Sequence, residues 1–349
     1  MTKTTRFAPS PTGALHIGGV RTALFNYVYA KQNKGMFLIR IEDTDAERST
    51  REHEENILKG LSDIGINPDK PPVRQSERSE LYKHAAQILI DSGKAYYCNC
   101  SKERLDEMRS NQQSKGLKPQ YDGKCRDLNL KADPTTVLRL KTPQDGELIF
   151  HDLVRGEVVF QNSELDDLIL LRSDGSPTYH LCNVVDDFEQ NVTTVVRGED
   201  HLSNTPRQIH IQQALSYPSL EYAHLPMVLG QDKKRLSKRN AVTSLQDYFD
   251  QGYLQSSMIN MLARLGWSKG DKEIFYLDDL ISDFRIQEVQ KAGAIFDPAK
   301  LDWINNHHLA ALSYDNFKER LIPFLDKVGI NLIEKQNCDE IIKAMRSSK

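Results

Sequence analysis

The chain has few or none of several features that mark particular classes of protein. It contains five cysteines in 349 residues, an odd number that does not favour a framework of paired disulfides. It has no run of the roughly 20 apolar residues that a membrane span needs, and no apolar signal region at its N-terminus. Its formal net charge is only −3, which weakly opposes non-specific nucleic-acid binding but permits a local basic face. We therefore expect a cytoplasmic protein.

Two familiar site patterns are also missing. The segment after the first predicted strand has no Gly-x-Gly-x-x-Gly turn, which argues against a nicotinamide-dependent enzyme. The sequence shows no Ser/His/Asp arrangement for nucleophilic catalysis, and no internal repeat. The composition, with 39% hydrophobic and 27% charged residues, is typical of a globular protein. The length predicts two or three domains.

The segment from Ala8 to Gly19 carries the strongest pattern near the N-terminus. Strand-like residues 4–8 precede a turn of Pro, Ser and Gly, and His16 stands at the start of a predicted helix. The first turn of a helix offers unpaired backbone N–H groups and the positive end of the helix dipole, which together attract phosphate. A lone histidine at this position is more often a helix cap, and adjacent glycines more often reflect tight packing.

A second pattern lies past the middle of the chain. Residues 233–239, Lys-Lys-Arg-Leu-Ser-Lys-Arg, are predicted to form a short basic loop. Its cations can neutralise phosphates whose negative charge grows as a bond breaks. Taken alone, such a cluster is usually a solvated loop. Together with the helix start at His16, it predicts a site that binds both ends of a nucleoside triphosphate.

Strands alternate with helices in the N-terminal part of the chain and again after about residue 190. Apolar periodicity predicts strands over residues 4–8, 36–41 and 192–196, and helices over 18–31, 52–61, 79–90 and from 205. This alternation predicts an α/β protein with a parallel sheet and helices on both faces. Between them, loops and short strands over 137–140 and 156–160 predict an insertion. After the basic loop, helices are expected over 247–252, 256–265, 286–293 and 317–328.

Several motifs together resemble those of glutamyl-tRNA synthetases, a family of class I aminoacyl-tRNA synthetases. Residues 16–19 (His-Ile-Gly-Gly) and 235–239 (Arg-Leu-Ser-Lys-Arg) are similar to the two nucleotide-binding motifs of class I, HIGH and KMSKS, although both depart from the consensus at some positions. The flanking residues 6–13 and the segment 40–45 (Arg-Ile-Glu-Asp-Thr-Asp) also fit this family. Each string alone is weak evidence, whereas the combination is specific.

The resemblance implies a class I synthetase Rossmann-like parallel sheet with an inserted α+β acceptor-binding domain, followed by a helical stem-contact region. The expected units are the first half of the Rossmann catalytic domain (1–94), the inserted domain (95–186), the second half of the catalytic domain (187–240), the stem-contact domain (241–310) and the start of an incomplete helical anticodon-binding domain (311–349). Since family members usually continue further, we expect a C-terminally shortened chain. We expect Trp267 and Trp303 to be core anchors.

The resemblance implies catalysis by positioning and electrostatics. The carboxylate that attacks the α-phosphorus of ATP is already ionised, so no general base is needed. The implied catalytic residues are His16, near the reacting phosphate, and Lys238, at the leaving pyrophosphate. The implied ATP contacts are His16, Gly18, Gly19, Leu236 and Lys238. The glycines would let the adenosine approach the backbone, and Mg²⁺ would share the phosphate charge.

An amino acid with a side-chain carboxylate needs cations for its acid groups and an anion for its ammonium. By resemblance, the glutamate-binding residues are Arg6, Ser10, Glu42, Tyr179, Asn183 and Arg197. The two arginines are the expected cations, because a guanidinium can hold a carboxylate through two parallel hydrogen bonds. Glu42 is the expected anion, since it ends a parallel strand at the edge where such sheets bind ligands. The alternative is that Glu42 pairs with Arg40 or Arg48 at the surface.

The insertion carries three clustered cysteines. The residues that resemble a zinc-ligand set of some family members are Cys98, Cys100, Tyr121 and Cys125. A closed tetrahedral zinc site needs four donors. Where other members have a histidine two residues after the last cysteine, this chain has Asp127, which leaves the fourth ligand open. We expect Zn²⁺ here; the alternative is three small buried thiols. Cys182 and Cys338 are expected to be packing residues.

The activity implied by the resemblance is that of a glutamate–tRNA ligase. Such an enzyme activates L-glutamate with ATP and transfers it to the 3′-terminal adenosine of tRNA(Glu). We expect a monomer with tRNA(Glu), L-glutamate and ATP as partners and no membrane. A short tRNA-modifying paralogue is disfavoured because the helical region 252–303 is present. Glutaminyl-tRNA synthetase is disfavoured because Arg6 and Arg197 suit a second carboxylate better than an amide. An RNA-binding regulator without catalysis would need a damaged site.

Overall fold

The computed structural model describes residues 2–45, 48–236, 244–330 and 337–347. Within these ranges the strands are β1 (Thr5–Phe7), β2 (Phe37–Ile41), β3 (Val73–Arg74), β4 (Ala95–Cys98), β5 (Val137–Leu140), β6 (Glu147–Asp152), β7 (Gly156–Gln161), β8 (Ile169–Leu171), β9 (Thr194–Gly198), β10 (Glu221–Leu225), β11 (Val228–Leu229) and β12 (Ala294–Ile295). Short 3₁₀ turns lie at Gln75–Glu77, Asn162–Glu164, Glu199–Asn204 and Ile286–Glu288.

The α-helices lie between and after these strands and are numbered in chain order. They are α1 (Ile17–Gln32), α2 (Arg51–Asp63), α3 (Ser79–Asp91), α4 (Lys102–Ser114), α5 (Tyr179–Glu189), α6 (Thr205–Ala214), α7 (Leu245–Asp250), α8 (Gln255–Arg264), α9 (Leu277–Asp283), α10 (Pro298–Ala311), α11 (Tyr314–Lys327) and α12 (Cys338–Ser347). The helices predicted over 18–31, 52–61, 79–90, 247–252, 256–265 and 317–328 are confirmed to within a few residues.

A mostly parallel sheet forms the centre of the molecule. Its strands are ordered β3-β2-β1 on one side and β9-β10-β6-β7 on the other, and only the β6–β7 pair is antiparallel. The two parts meet where Thr193 N and Thr194 N donate to Thr4 O at 2.9 and 3.2 Å. The parallel sheet predicted from the alternation of strands and helices is confirmed.

Helix α1 connects the sheet to the helical part that follows it. Its buried face carries Ile17, Val20, Leu24 and Val28, which repeat at helical spacing. Burying an aliphatic side chain of this size contributes about 1.5–3 kcal/mol. Phe25, on the same helix, packs against the ring of Phe284 at a centroid distance of 4.9 Å. These contacts hold α1 between the sheet and the helical region.

A second, antiparallel sheet of β4, β5 and β8 lies in the region predicted to be an insertion. Its apolar face packs on α3 and α5, through Tyr82, Leu89 and Leu181. The β6–β7 hairpin lies between β5 and β8 in the chain, yet it pairs with β10 of the central sheet, at Tyr222 and Asp152. The hairpin therefore brings part of the same sequence region to the edge of the central sheet.

Two expectations for the helical region are wrong. Residues 286–293 form only a 3₁₀ turn, because Gln290 N donates to Gly266 O and the chain then continues into β12, which pairs with β11. Trp303 is 45% exposed, with the Lys300 ammonium 4.2 Å from its ring centroid. Trp267, by contrast, is fully buried, as expected.

Candidate active site

A cavity of about 270 Å³ opens at the carboxyl ends of β1, β2, β9 and β10. Open α/β sheets bind ligands at this edge. The predicted site residues that line the cavity are Arg6, Ser10, His16, Gly18, Gly19, Glu42, Tyr179, Asn183, Arg197 and Leu236. Lys238 lies outside the described residues. The fold thus brings the predicted nucleotide-binding and glutamate-binding residues to one cavity; their roles stay predictions.

His16 caps the N-terminus of α1. Its Nδ1 accepts a hydrogen bond from Gly19 N at 3.2 Å, which satisfies one of the free N–H groups of the first turn. A Cβ on Gly18 would lie 3.3 Å from both Cε1 and Nδ1 of His16, tighter than most real contacts. The absence of a Cβ at Gly18 therefore leaves space for the imidazole of His16. Gly18 and Gly19, in the first turn of α1, line the cavity.

The described part of the basic loop forms a turn at the rim of the cavity. Gly230 N donates to Lys234 O at 2.8 Å, and Leu236 N donates to Val228 O at 3.1 Å. The Arg235 guanidinium pairs with Asp200 at 3.3 Å. Leu236 and Arg235 both line the cavity. Residues 233–236 of the basic loop are therefore anchored at the rim of the cavity.

Arg6 and Arg40 share one buried carboxylate, that of Asp187 on α5. Arg6 Nε donates to Asp187 Oδ1 at 2.9 Å, and Arg40 Nη1 donates to the same oxygen at 2.6 Å. Both guanidinium groups also donate to Asn183 Oδ1, at 3.3 and 2.9 Å. The two arginines hold the pKa of Asp187 below its usual value although burial alone would raise it. Arg6 thus already shares a protein carboxylate with Arg40.

Glu42 lies one residue beyond β2, and its carboxylate is held on two sides. Asn183 Nδ2 donates to Glu42 Oε1 at 2.8 Å, and Arg40 Nη2 lies 3.5 Å from the same oxygen. The Glu42–Arg40 pair that was the alternative to a ligand role exists, but its Arg40 is buried and its Glu42 lines the cavity. Burial raises the pKa of Glu42 in spite of Arg40. A cationic group in the cavity would favour the charged form.

Arg197 is a buried cation of the cavity that has no carboxylate partner among the described residues, as is Arg21, which donates to Leu265 O and Pro226 O. Arg197 Nε donates to His224 Nε2 at 3.1 Å, Nη1 to Gln208 Oε1 at 2.7 Å and Nη2 to Thr205 Oγ1 at 2.7 Å. None of these partners is charged, and no ion pair of Arg197 is found within the described ranges. Burial lowers the pKa of the guanidinium. A buried charge of this kind calls for an anionic ligand.

Two hydroxyl groups complete the predicted glutamate-binding set. The Tyr179 hydroxyl lies 3.3 Å from His201 Nδ1, and burial raises its pKa, so that it stays protonated. Ser10 is exposed in the turn after β1, on the rim of the cavity. Both can form hydrogen bonds to a polar ligand.

The sequence prediction missed the residues that hold the predicted ones. Arg40 was named only as a surface partner, and Asp187 and His224 were not named at all. One signal was available: Arg40 and Arg197 are each charged residues inside otherwise apolar strands, Phe-Leu-Ile-Arg-Ile and Thr-Val-Val-Arg-Gly. Charged residues in a buried strand need partners. Which partners they find depends on the fold.

The three clustered cysteines form a separate group beside the second sheet. The Sγ atoms of Cys98, Cys100 and Cys125 lie within 4.8 Å of one another, and the Tyr121 hydroxyl lies 3.4 Å from Cys98 Sγ. Asp127 is exposed and pairs with Lys141 at 3.1 Å. Burial opposes ionisation of Cys98, but hydrogen bonding by Tyr121 helps to lower the pKa of this thiol to about 7. Three thiols and a phenol at this spacing fit a zinc ion with bonds of about 2.3 Å to sulfur.

Comparison with known families decides the class of this chain. The family described as "tRNA synthetases class I (E and Q), catalytic domain" matches residues 3–303. The chain belongs to this family. The glutamate–tRNA ligase of Thermodesulfovibrio yellowstonii is 50% identical to this synthetase over 324 residues, which cover 93% of the chain and 70% of the relative. Glutamate–tRNA ligase 2 of Halorhodospira halophila is 47% identical over 346 residues, which cover 98% and 73%.

The fold of the synthetase is also that of solved relatives. A crystal structure of a glutamate tRNA ligase from Elizabethkingia meningosepticum, in complex with its amino acid, matches with a TM-score of 0.91 and 34% identity, over 100% of this chain and 78% of that chain. The predicted class I synthetase fold is confirmed, and a nicotinamide-dependent enzyme is excluded. Within the described ranges, the synthetase has no helix long and apolar enough to cross a membrane.

Proposed function

We propose that this synthetase is a glutamate–tRNA ligase. It activates L-glutamate with MgATP to glutamyl-adenylate and pyrophosphate, and then transfers the glutamyl group to the 3′-terminal adenosine of tRNA(Glu). The observation that carries the proposal is Arg197, a buried guanidinium in the cavity whose hydrogen-bond partners are all uncharged. An anionic side chain on the substrate is the group that compensates it. The names of the relatives support the same activity.

The chemical step needs orientation more than proton transfer. A glutamate α-carboxylate oxygen attacks the α-phosphorus, and the bond to the pyrophosphate oxygen breaks, so no proton changes hands. His16, at the start of α1, would donate to the phosphate at the reacting centre. Lys238 would neutralise the pyrophosphate as it leaves. Gly18, Gly19 and Leu236 would complete the ATP contacts.

The cavity offers glutamate a defined set of charges. Arg197 would bind one carboxylate directly, whereas Arg6 already faces Asp187 and would add a shared positive charge. Glu42 would bind the ammonium group, because its carboxylate lines the cavity beside Asn183. Tyr179, Asn183 and Ser10 would supply hydrogen bonds around these charges.

Glutamine is the substrate that this charge pattern disfavours. An amide carries no net charge, so it would leave Arg197 buried and uncompensated. Sites with a buried group that needs a specific partner reject an analogue lacking it far more strongly than apolar pockets do. We therefore favour glutamate over glutamine within this family.

The cysteine group is proposed as a structural zinc site. Cys98, Cys100, Tyr121 and Cys125 would hold Zn²⁺ and close its coordination shell, which would stabilise the loop after β4. The ion would take no part in the reaction.

The predicted domain division, the monomeric state and the cytoplasmic location are kept as parts of the proposal. The division has its boundaries after residues 94, 186, 240 and 310. The division and the monomeric state rest on the resemblance to glutamyl-tRNA synthetases, and the location is the one expected from the sequence.

A charging assay tests the proposed activity. Labelled L-glutamate, L-glutamine and L-aspartate are each offered with ATP and total tRNA. We expect charging with glutamate alone, and a fall of about 100-fold in kcat/KM for glutamate in Arg197→Gln, from the loss of a charge-assisted contact. Arg207→Gln is the control, since Arg207 pairs with Asp166 at 3.8 Å and does not line the cavity. Failure of the wild-type protein to charge any tRNA would favour the RNA-binding regulator.

A further inference from the structure

Asp152, His224 and Arg197 form a hydrogen-bonded row across three neighbouring strands, β6, β10 and β9. His224 is the register partner of Arg197 between β10 and β9. His224 Nδ1 lies 2.6 Å from Asp152 Oδ2, and His224 Nε2 lies 3.1 Å from Arg197 Nε. Asp152 and His224 are fully buried. The row ends at the cavity, where Arg197 is the lining residue of the three.

The hydrogen bonds of this row fix the tautomer of His224. A guanidinium can only donate, so Arg197 Nε–H requires a lone pair on His224 Nε2. The imidazole proton must then be on Nδ1, where it faces the Asp152 carboxylate. Burial lowers the pKa of His224, which keeps the ring neutral. The histidine thus accepts on one side and donates on the other.

Asp152 is held firmly at the end of β6. Its Oδ1 accepts from Val154 N at 3.0 Å and from Arg155 N at 2.8 Å, and its Oδ2 accepts from His224 N at 3.1 Å. Although burial opposes its ionisation, the hydrogen bond from His224 leads the interactions that lower the pKa of Asp152. A carboxylate fixed by backbone groups orients the imidazole in turn.

The remaining donors of Arg197 are those that a ligand can use. A guanidinium has five N–H groups, and three of them are bonded to His224, Gln208 and Thr205. The hydrogen bond from Nε to His224 sets the plane of the guanidinium. Nη1 and Nη2 each use one N–H group, in the bonds to Gln208 and Thr205, and each keeps a second N–H group. These two N–H groups have no partner within the part of the chain that the structure describes.

We propose that His224, oriented by Asp152, is a positioning residue that fixes the guanidinium of Arg197 and thereby sets the preference for a substrate carboxylate over an amide. This inference rests on the proposed function. The β6–β7 hairpin carries Asp152, so a segment outside the cavity contributes to substrate selection. His224 itself does not line the cavity and would act only through Arg197.

Steady-state kinetics with substituted enzymes tests the positioning role. His224→Phe removes the acceptor for Arg197 Nε, and we expect KM for L-glutamate to rise about tenfold, since a hydrogen bond to a charged group is lost. KM for ATP should not change, and discrimination against L-glutamine should fall by a similar factor. His224→Gln, whose amide can accept from Arg197 and donate to Asp152, should restore most of the glutamate affinity.

His308→Phe is the matched control. His308 is also buried, and its Nε2 lies 3.1 Å from Asn260 Oδ1 on a different helix, away from the cavity. It should leave both KM values unchanged. Equal rises in KM for glutamate and ATP in His224→Phe, or no rise in either, would overturn the inference.

A spectroscopic readout covers the case in which His224→Phe does not fold. In ¹⁵N-labelled wild-type protein, the ring signals of His224, assigned by their loss in His224→Gln, should show a proton on Nδ1 and none on Nε2. A proton on Nε2 would contradict the inference. The tautomer is independent of activity, so charging failure with the expected tautomer would count against the proposed function and not against the row.

Discussion

At the scale of the residue, two adjacent glycines at the start of α1 have different surroundings. A Cβ on Gly18 would meet the His16 ring at 3.3 Å, whereas a Cβ on Gly19 would meet Leu15 and Phe7 at 3.4 and 3.7 Å. The ring of His16 accepts a hydrogen bond from Gly19 N in the cap. Space at Gly18 therefore controls where the proposed phosphate donor points.

Gly18→Ala should separate activity from stability. Alanine favours a helix by up to about 1 kcal/mol over glycine, so unfolding should not become easier. The displaced His16 ring should lower kcat about tenfold, because sub-ångström errors in position slow catalysis. Gly60→Ala is the control, since a Cβ there meets only Leu15 and Leu245 at 3.5 and 3.9 Å. Equal kcat values for the two variants, measured by charging, would contradict this account of Gly18.

The predicted site residues lie in local sequence motifs, whereas the residues that hold them in place do not. His16 and the glycines sit in one short segment, and their shared cavity could be predicted from that segment and the basic loop. Asp152 and His224 are separated from Arg197 by 45 and 27 positions in the chain. Only strand order and register bring these three together, and neither follows from periodicity.

At the scale of the element, α5 joins the substrate site to the protein core. Its residues Asn183, Asp186 and Asp187 all contact the cluster that the guanidinium groups of Arg6 and Arg40 form. Asp186 also accepts from Arg78 Nε at 2.7 Å and from the Tyr82 hydroxyl at 2.9 Å. The helix is thus held at the sheet by charge as well as by its apolar face.

Asp187→Asn should destabilise the protein strongly. The change leaves Arg6 and Arg40 buried with too little negative charge, and breaking such a pair costs about 3–5 kcal/mol. Chemical denaturation measures the difference in unfolding free energy. Glu80→Gln breaks an exposed pair with Lys83 and should cost less than about 1 kcal/mol. A loss of equal size in both variants would show that the cluster adds nothing to stability.

Elements with a clear apolar period were predictable, and the exceptions have physical causes. Helix α4 was missed because all its residues are polar or partly exposed and none is buried, so it has no apolar stripe. A helix was predicted over residues 286–293 because the apolar Ile286 and Val289 are three positions apart, and both are buried although the segment is not an α-helix. The exposed Trp303 shows that aromatic character alone does not place a side chain in the core.

At the scale of the whole molecule, partial or complete burial lowers the pKa of several histidines. Burial lowers the pKa of His180 and of His201 to about 4, and Arg197 adds to the effect on both. In the unfolded chain these groups have a pKa of about 6.5. Between these values the unfolded state binds more protons than the folded state, so stability falls as the pH falls.

Acid should therefore destabilise the synthetase between about pH 6.5 and pH 4. Each of the two histidines contributes at most about 1.4 kcal/mol per pH unit, while the raised pKa of Glu42 acts in the opposite direction. Denaturation midpoints at pH 7.5, 6 and 5 measure the slope. The double variant His180→Gln/His201→Gln should show a shallower slope than the wild type, and an unchanged slope would refute the assignment.

The central claim is that a substrate carboxylate compensates Arg197. A crystal structure of the synthetase with bound L-glutamate tests it directly. The account predicts a glutamate carboxylate oxygen within about 3 Å of Nη1 or Nη2 of Arg197, with the bond from Arg197 Nε to His224 retained. Glutamate bound with both carboxylates remote from Arg197, and that guanidinium bonded only to protein groups, would contradict it.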